Sequence, residues 1–473
     1  MSDFAYPLHE ECGVFGIYDR AGTEDVAAAA YSALYALQHR GQESCGMAVN
    51  DDGVFASHKD LGLVGEVLTP DVLARLPHGS MAVGHVRYGT TGARVRANCQ
   101  PIEVNHRKGR MALAHNGNLS NADELRCALE LAGAIFHTTS DTETIAYVVT
   151  RERLRAASIE DALSVAMDEI EGAYSLVLMS PQKLICARDP HGFRPLCYGV
   201  TEEGVYVIAS ESCALSAVGA RFVRDVEPGE IVTIDRQGIR SRDYSMYKRH
   251  EMCSMEYIYF ARPDSDIDGC NVHAYRKESG RLLWKEAPAE ADIVVGVPDS
   301  SLSAAMGYAE ASGLPYEMGL IKNKYIGRTF IQPSQELREK GVRMKLSAVR
   351  SIVRGKRVVL VDDSIVRGTT SRRIVTMLKE AGATEVHVRI ASPPMTDPCF
   401  YGVDTSTYDE LISARKNPEG VCREIGADSL VFLSPESLLK AGSRKELCMA
   451  CFTGQYPTAL YQSPEEANKD VKC

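Results

Sequence analysis

Cys12 is the residue near the start of the chain whose chemistry depends most on what precedes it. It stands in the stretch EECGVFGI, with Gly13 after it and eleven residues before it. If residues 1–11 stay, Cys12 is an ordinary strand residue. If they are removed, its thiol lies beside a new α-amine, whose pKa of about 8 lets it accept the thiol proton without a histidine. Residues 1–11 lack the apolar core of a secretory signal, so they could be a propeptide.

The stretch RVVLVDDSIVRGTTS places two carboxylates where a buried strand meets a loop of small residues. The strand, predicted over 358–361, ends at Asp362 and Asp363, and a helix is predicted after the loop. Ligands of open α/β sheets bind beyond the carboxyl ends of the strands. Loop N–H groups and a helix N-terminus suit a phosphate, while the carboxylates suit ribose hydroxyls or Mg²⁺. The loop is not a Walker A motif. An acidic loop without a ligand is the alternative.

Two further stretches could meet an anion. VGVPDSS puts Asp299 and Ser300 directly after a buried strand, and KNKYIGRTFI carries Lys322, Lys324 and Arg328. A basic loop of this kind can close over a diphosphate as a lid. The alternative for the basic stretch is a solvated charged face.

Four of the fourteen cysteines could act as metal ligands. Cys448 and Cys451 form a C-x2-C pair, and Cys253 and Cys399 are far from them in sequence. Four thiolates could hold a [4Fe-4S] cluster or a structural zinc ion, and spacing alone does not choose between them. Four unrelated core cysteines are the alternative.

The elements of residues 12–245 must position Cys12. Strands are predicted at CGVFGIY, SCGMAVN, SMAVGHVRY, RMALAHNG, AYSLVLMS, LICARD, VYVIAS and EIVTID. Helices are predicted at EDVAAAAYSALYALQHR and at SDTETIAYVVTRERL, the second opening on a Ser/Asp cap. Many strands with few helices predict a layered α+β domain, which we expect to end near residue 245.

Residues 246–473 have a different pattern. Strands at ADIVVGVP, RVVLVDD and EVHVRIAS alternate with helices at SSLSAAMGYAEASG, TTSRRIVTMLKEAG and DELISARK. Near-continuous Val/Ile/Leu runs separated by helices predict a parallel sheet covered on both faces. A chain of 473 residues is also long enough for two domains.

Composition narrows the class of protein. The chain is 45% hydrophobic and 25% charged, as in a globular enzyme. Its net charge of −10 argues against a general nucleic-acid or membrane binder, and it has no apolar run long enough for a transmembrane helix. Cysteines spread along a chain without a secretory signal favour a reducing compartment, so we expect a cytoplasmic location.

Five segments in the first half resemble glutamine amidotransferases of the N-terminal-nucleophile (Ntn) type. They are Cys12-Gly-Val-Phe-Gly-Ile, LQHRGQES at 37–44, GHVRYGTTG at 84–92, AHNGNL at 114–119 and TTSDTE at 138–143. VVLVDDSIVRGTT resembles the phosphoribosyl-pyrophosphate (PRPP) signature of type I phosphoribosyltransferases. Together the halves resemble the glutamine PRPP amidotransferase family. The resemblance implies a propeptide at 1–11, an αββα Ntn-hydrolase sandwich at 12–245 and an α/β phosphoribosyltransferase domain at 246–473.

The resemblance also implies a reaction: glutamine, PRPP and water give 5-phosphoribosylamine, pyrophosphate and glutamate, the first committed step of purine synthesis. Cys12 would be the nucleophile, and Asn116 and Gly117 the oxyanion donors. The implied glutamine-binding residues are Arg40, Gly41, Arg87 and Asp141. The implied PRPP-binding residues are Lys322, Lys324, Arg328, Asp362, Asp363, Ser364, Arg367, Gly368, Thr369 and Thr370, and the implied magnesium ligands are Ser300, Asp362 and Asp363.

Singly, these residues have structural alternatives. Cys12 could be a strand residue, Arg87 an ion-pair partner, and Asp141 a helix cap; HNGN could be a hairpin turn. Two other functions are also considered: a PRPP or purine sensor without catalysis, and a glutaminase-coupled synthase of the hexosamine-phosphate type. The complete glutaminase set argues against the first, and VVLVDDSIVRGTTS argues against the second.

The family subgroup with a propeptide implies further components. A [4Fe-4S] cluster would be held by Cys253, Cys399, Cys448 and Cys451, in a structural or oxygen-sensitive role. Inhibitory purine nucleotides and a homotetramer are also implied. Ammonia would have to travel between the two sites through a water-poor passage, because in neutral water it would become ammonium.

Overall fold

The computed structural model describes residues 12–89, 95–245, 248–323, 346–405, 407–442 and 446–459. Residues 1–11, the last part of GHVRYGTTG, and the predicted lid residues Lys324 and Arg328 lie outside these ranges. Within them, no helix combines the length and the apolar character that crossing a membrane requires.

The first half forms two antiparallel sheets. Its strands are β1 (Gly13–Tyr18), β2 (Ser44–Asp51), β3 (Val54–Leu61), β4 (Met81–Arg87), β5 (Ile102–His106), β6 (Gly109–Leu119), β7 (Gly172–Met179), β8 (Leu184–Arg188), β9 (Cys197–Val200), β10 (Tyr206–Ala209), β11 (Arg221–Asp225), β12 (Glu230–Asp235) and β13 (Gly238–Asp243). One sheet has the order β11-β9-β10-β1-β4-β2-β3, and the other has the order β13-β12-β8-β7-β6-β5. Val14 and Val83 of the first sheet and Ala114 and Val177 of the second belong to one buried core between them.

Helices cover the outer faces of both sheets. They are α1 (Val26–Ala36), α2 (Val64–Val67), α3 (Pro70–Leu73), α4 (Ala122–Leu131), α5 (Asp141–Arg155), α6 (Ile159–Met167) and α7 (Ser212–Ala217). One core joins α1 to the first sheet through Leu34 and Phe15, and another joins α5 to the second through Ile145 and Leu113. The predicted αββα sandwich is confirmed. The prediction of only two helical stretches was wrong, because short helices such as α6 and α7 interrupt the strand pattern.

The second half is built on a parallel sheet. The strands of this half are β14 (Asp266–Ile267), β15 (Cys270–Asn271), β16 (Ile293–Gly296), β17 (Leu320–Lys322), β18 (Leu346–Ala348), β19 (Arg357–Asp362), β20 (Glu385–Ile390) and β21 (Ser429–Phe432). β14 with β15 and β17 with β18 form two separate two-stranded sheets. The order β16-β19-β20-β21 is parallel at every pairing, as predicted. The carboxyl ends of β16 and β19 therefore meet at one edge, where VGVPDSS and the Asp362–Asp363 loop begin.

The helices of the second half are α8 (Val272–Glu286), α9 (Leu302–Ser312), α10 (Arg350–Val353), α11 (Thr369–Glu380), α12 (Ile412–Arg415), α13 (Pro418–Ile425), α14 (Pro435–Lys440) and α15 (Ala450–Thr453). The helix predicted at DELISARK was wrong in extent. A 3₁₀ turn over Tyr408–Glu410 and the short α12 replace it, because Leu411 between them has extended backbone angles (φ −95°, ψ 107°).

Buried charges join the two halves. Arg188 at the end of β8 makes a bidentate ion pair with Asp268, both N–O distances being 3.0 Å. Glu256 begins a short π-helical turn over Glu256–Phe260, and its carboxylate accepts hydrogen bonds from Arg40 and Arg194 of the first half. Residue 245 remains the predicted boundary between the domains.

Candidate active sites

Cys12 lies directly before β1 and is 8% exposed. Its sulfur is 3.5 Å from the carbonyl oxygen of Tyr88, and its own carbonyl accepts a hydrogen bond from Nε of Arg40 at 3.0 Å. Arg40 is completely buried, and its remaining nitrogens donate to Glu211 at 2.6 Å and Glu256 at 2.7 Å. Burial alone would lower the pKa of Arg40, but these carboxylates raise it above its ordinary value. The charged guanidinium is therefore fixed beside Cys12, and contact with glutamine remains a prediction.

Arg87 and Gly41 lie close to Cys12. Arg87 is the last residue of β4 and forms an ion pair with Glu43, which also accepts a hydrogen bond from the Gly89 amide at 3.1 Å. Gly41 packs against the backbone at Arg87. The structure thus brings Cys12, Arg40, Gly41 and Arg87 together. Arg87 does form an ion pair, as the structural alternative predicted, and its contact with glutamine stays a prediction.

Asn116 and Gly117 lie on β6, which contacts β1 across the sandwich. Asn116 is fully buried, and neither polar atom of its amide has a hydrogen-bond partner among the described residues. A buried amide left in this state costs roughly 1–3 kcal/mol, so a ligand that accepts from it would recover that energy. Gly117 has φ +140°, and a Cβ there would lie 2.0 Å from the carbonyl oxygen of Ala173. Only glycine fits this position.

Asp141 is the first residue of α5, while the helix cap is Ser140, whose hydroxyl accepts from the Thr142 amide. The Asp141 carboxylate accepts a hydrogen bond from the Leu119 amide at 3.1 Å and lies 3.6 Å from Nδ1 of His115. Burial alone would raise the pKa of Asp141, but His115 and the backbone donors hold it below its ordinary value. A buried anion therefore lies at the end of the strand that carries Asn116.

The sequence analysis missed a polar network behind this strand. The His115 amide donates to the side chain of Gln100 at 2.8 Å, and the Gln100 amide donates to the Thr142 hydroxyl at 3.0 Å. Nε2 of His85, on β4, lies 3.0 Å from the His115 carbonyl oxygen. Burial lowers the pKa of His85 to about 3, so its ring is neutral. The sequence signal that could have revealed this network is the pair of histidines inside the motifs GHVRY and HNGN, His85 and His115.

In the second half, the acidic pair is buried at the end of β19. Asp362 accepts a hydrogen bond from the Ser301 hydroxyl at 2.9 Å, and Asp363 accepts from Ser364 at 2.6 Å and from Ser300. Burial and the neighbouring carboxylate raise the pKa of Asp362, and burial also raises that of Asp363. The structure therefore unites the loops after β16 and β19. Ser301 was missed, although it follows Ser300 directly.

The rest of the loop leads into α11. Gly368 precedes its first residue, and Thr369 and Thr370 form its first turn. Arg367 is held by Glu410 at 2.5 Å. Nearby on the surface, Nζ of Lys322 lies 2.8 Å from the Asp299 carboxylate. The predicted anion-binding residues that are described thus surround one strand edge.

Three distant chain segments bring the four candidate ligand cysteines together. The Ser254 amide donates to the Cys448 carbonyl at 3.2 Å, and the Thr396 amide donates to the Cys451 carbonyl at 3.0 Å. Burial raises the pKa of Cys451, as do Cys399, Cys253 and Cys448, each of which interacts with it electrostatically. The Tyr401 amide donates to the Cys399 sulfur at 3.4 Å. Within the described ranges, no group of three or more His, Cys, Asp or Glu side chains is already arranged as a metal site.

Comparisons with known proteins match both halves. A family model described as a glutamine amidotransferase domain matches residues 85–217, and one described as a phosphoribosyl transferase domain matches residues 273–393. The chain is 54% identical to the amidophosphoribosyltransferase of Bacillus subtilis (strain 168), covering 96% of each chain. It is 49% identical to the enzyme of that name from Methanocaldococcus jannaschii, covering 95% of this chain and 98% of the relative.

A solved structure of glutamine PRPP amidotransferase from B. subtilis, complexed with ADP and GMP, superimposes with a TM-score of 0.89 at 53% identity. The match covers 95% of this chain and 98% of that one. The two family-model matches include Arg87, Asn116, Gly117 and Asp141 in the first half and Asp362 and Asp363 in the second. The chain therefore belongs to the amidophosphoribosyltransferase family.

Proposed function

We propose that the protein converts glutamine, PRPP and water into 5-phosphoribosylamine, pyrophosphate and glutamate, the first committed step of de novo purine synthesis. Membership of the family supports this reaction. The observation that carries the proposal is the buried Asn116 amide without a described partner, because it lies on a strand that contacts the Cys12 strand. Such an amide is suited to an oxyanion.

In the glutaminase half, the Cys12 thiolate attacks the side-chain amide carbon of glutamine, and its α-amine takes the thiol proton once residues 1–11 are removed. The tetrahedral oxyanion accepts hydrogen bonds from the Asn116 amide and the Gly117 N–H. Collapse breaks the C–N bond, transfers a proton to the departing nitrogen and leaves a thioester. Water then hydrolyses the thioester to glutamate.

Arg87 and Asp141 hold the two ends of the free amino acid in this proposal. The Arg87 guanidinium binds the α-carboxylate and the Asp141 carboxylate binds the α-ammonium group, both through charge-assisted hydrogen bonds. The low pKa of Asp141 keeps it ionised. Arg40 acts on Cys12 by holding its carbonyl. Gly41, which packs against the backbone of Arg87, is proposed to line the glutamine site.

In the phosphoribosyltransferase half, the loop after β19 binds PRPP. Backbone amides of the loop and the hydroxyls of Thr369 and Thr370 at the N-terminus of α11 bind the 5′-phosphate. Ser300, Ser301 and Ser364 orient the acidic pair through their hydrogen bonds. Lys322 lies on the diphosphate side, and Lys324 and Arg328 are proposed as parts of the lid. Arg367 and Gly368 fix the loop.

The acidic pair fits a magnesium ion. Two buried carboxylates with raised pKa values, bonded to serine hydroxyls, are oxygen donors that gain from a divalent cation. Asp362, Asp363 and Ser300 would hold it. When bound, Mg²⁺ supplies neutralisation of the pyrophosphate charge, while the surrounding residues position the anomeric carbon.

Ammonia must reach the second site without meeting bulk water. A cavity of about 10 Å³, room for about one molecule the size of water or ammonia, lies beside the acidic pair. Its lining includes Ile258, Arg276, Ser300 and Asp363. Ile258 belongs to the π-helical turn that also carries Glu256, the partner of Arg40. The turn thus contacts both the cavity and the Arg40 pocket wall, and the passage between the sites is proposed on the family resemblance.

The four cysteines fit a [4Fe-4S] cluster. They supply three buried sulfurs and the half-buried sulfur of Cys399 from three segments. The Tyr401 N–H donates to the Cys399 sulfur, and hydrogen bonds of this kind to ligand sulfurs tune such clusters. Cys253, Cys399, Cys448 and Cys451 would hold the cluster, which would tie the segments together without taking part in the reaction. The cluster rather than zinc is proposed on the family subgroup.

The proposals on regulation and on oligomeric state also rest on the family. Because a solved relative binds ADP and GMP, purine nucleotides are proposed as inhibitors. A homotetramer and a cytoplasmic location are also proposed on the family resemblance.

Glutamine-dependent and ammonia-dependent synthesis test this division of labour. With purified protein, PRPP and Mg²⁺, glutamate and pyrophosphate should form together. Cys12→Ala should abolish synthesis from glutamine but preserve it from ammonia at high pH. Asn116→Ala should lower kcat with glutamine by about 10²–10³-fold and leave the ammonia reaction unchanged.

Cys45→Ala, at a buried free thiol of β2, is the matched control and should retain both activities. Glutamate release without pyrophosphate would reduce the protein to a glutaminase. Equal loss with both nitrogen donors in Cys12→Ala would contradict the proposed separation of the sites.

A further inference from the structure

The segment 399–402 of the second half lies directly behind the strand that carries the proposed oxyanion donors. Asn118, two residues after Asn116, donates from Nδ2 to the Phe400 carbonyl at 3.1 Å. Gly402 also lies beside the strand: a Cβ built at this position would be in van der Waals contact with it, 3.5 Å from the Gly117 carbonyl carbon and 3.7 Å from Cβ of Asn118. The backbone of one half thus contacts the oxyanion strand of the other.

The segment is itself firmly held. The ring of Tyr401 stacks on Phe193 with centroids 4.4 Å apart, and the Tyr401 carbonyl accepts a hydrogen bond from the buried Arg194. Tyr401, Phe193 and Ala173 share one buried cluster, and Ala173 is the β7 partner of Asn118 in the strand register. Gly402 has φ +112°, which L-residues rarely adopt. A rigid surface therefore backs this part of β6.

Oxyanion donors act only when they are held in place before the reaction. They must lie within about 2.7–3.1 Å of the developing charge, and a displacement of about 1 Å can cost about 10²-fold in rate. The Gly117 backbone has Ala173 of the same sheet and Gly402 as close neighbours, with no room for a side chain toward Ala173. The second neighbour comes from a chain segment remote in sequence.

We propose that Asn118 is a positioning residue for glutamine hydrolysis, which locks the oxyanion strand onto the segment 399–402. The inference rests on the proposed glutaminase reaction. It assigns Asn118 no contact with substrate. It also makes the oxyanion donors sensitive to the placement of Cys399, so that disturbance of that loop reaches the first site through Phe400 and Gly402.

Asn118→Asp tests the proposal because it keeps the size of the side chain and replaces the N–H donor with an oxygen that repels the Phe400 carbonyl. We expect kcat for glutamine hydrolysis to fall about 10-fold, with a smaller change in KM. Ammonia-dependent synthesis should stay near that of the unmutated protein, and the melting temperature should fall no further than in the control variant. Asn118→Ala should show the same split, more weakly.

Asn121→Asp is the matched control. Asn121 makes two hydrogen bonds of similar length to the backbone at Glu169 and Glu171, within the first half alone. It should lower stability without a selective effect on kcat. An unchanged kcat in Asn118→Asp, or equal loss with both nitrogen donors, would overturn the inference. Absence of glutamate release from the unmutated protein would instead refute the proposed function.

Discussion

At the scale of single residues, both sites consist of buried polar groups whose partners keep them in one state. Arg40 is kept charged by two carboxylates, His85 is kept neutral by burial, and Asn116 is left without a described partner. A buried polar group is costly unless it is bonded or serves a ligand. The arrangement therefore favours substrate binding over maximal stability.

His85 should make stability depend on pH. In the unfolded chain it takes up a proton near its ordinary pKa of about 6.5, whereas in the fold its pKa is about 3. Between about pH 3 and pH 6.5 the unfolded state binds more protons than the folded state. The contribution of neutral His85 to the free energy of unfolding is therefore fully present above pH ~6.5, and it declines as pH falls, by up to about 1.4 kcal/mol per pH unit. Urea unfolding at pH 7.5 and 5.0 gives the free energy of unfolding at each pH, and its decrease between the two pH values should be smaller in His85→Gln than in the unmutated protein. An identical slope in both proteins would contradict the assignment.

At the scale of elements, each site lies where a regular element ends. Cys12 directly precedes β1, Arg87 ends β4, Asp141 begins α5, and Asp362 ends β19. Ends leave backbone groups unpaired, and these groups can be used by side chains or ligands. The geometry of a helix cap can therefore control a binding residue.

Ser140→Ala should affect both stability and glutamine binding. Its hydroxyl caps α5, and loss of such a cap costs about 1 kcal/mol. Because Asp141 is the next residue, KM for glutamine should also rise. Ser158→Ala is the matched control, since Ser158 caps α6 through the Asp161 amide at 3.0 Å and should affect only stability. Equal KM values in the two variants would show that the α5 cap does not position Asp141.

At the scale of the whole molecule, buried ion pairs hold the halves together. Arg188 and Asp268 are each at most 5% exposed, and Arg40 and Arg194 both contact Glu256. Removing one partner of such a pair leaves a buried charge uncompensated, which is far more costly than losing an exposed pair.

Asp268→Asn should therefore destabilise the protein by about 3–5 kcal/mol. Glu310→Gln, which removes an exposed pairing with Arg281 and Lys277, should cost under about 1 kcal/mol. Denaturant unfolding of both variants measures the difference. Equal losses of stability in Asp268→Asn and Glu310→Gln would argue against burial of the charge as the cause.

Local pattern predicted the parts of the fold that depend on neighbouring residues. The run VVLVDD gave both the buried strand β19 and the acidic strand end, and SDTETIAYVV gave α5 with its Ser140 cap. Short helices such as α7 were missed, because a few apolar residues between strands do not distinguish helix from strand.

The contacts between segments distant in sequence could not be predicted. No residue near Arg40 in the sequence indicates that Glu256 would be its ion-pair partner. Likewise, no residue near Asn118 indicates a hydrogen bond to the Phe400 carbonyl. Such pairings depend on how the two halves pack, which no local periodicity encodes. The family resemblance located the reactive residues, but it did not reveal what holds them.

The pairing of Cys448 with the backbone around Cys253 has a consequence for synthesis on the ribosome. Within the described ranges, the last strand of the two sandwich sheets and the parallel sheet ends at Phe432, so these strands leave the ribosome before Cys448 does. Domains generally begin to fold as they emerge. We therefore expect a stage in synthesis at which the strands of the sheets are available while the backbone at Met252–Ser254 still lacks its partner Cys448 and is accessible to chaperones or proteases.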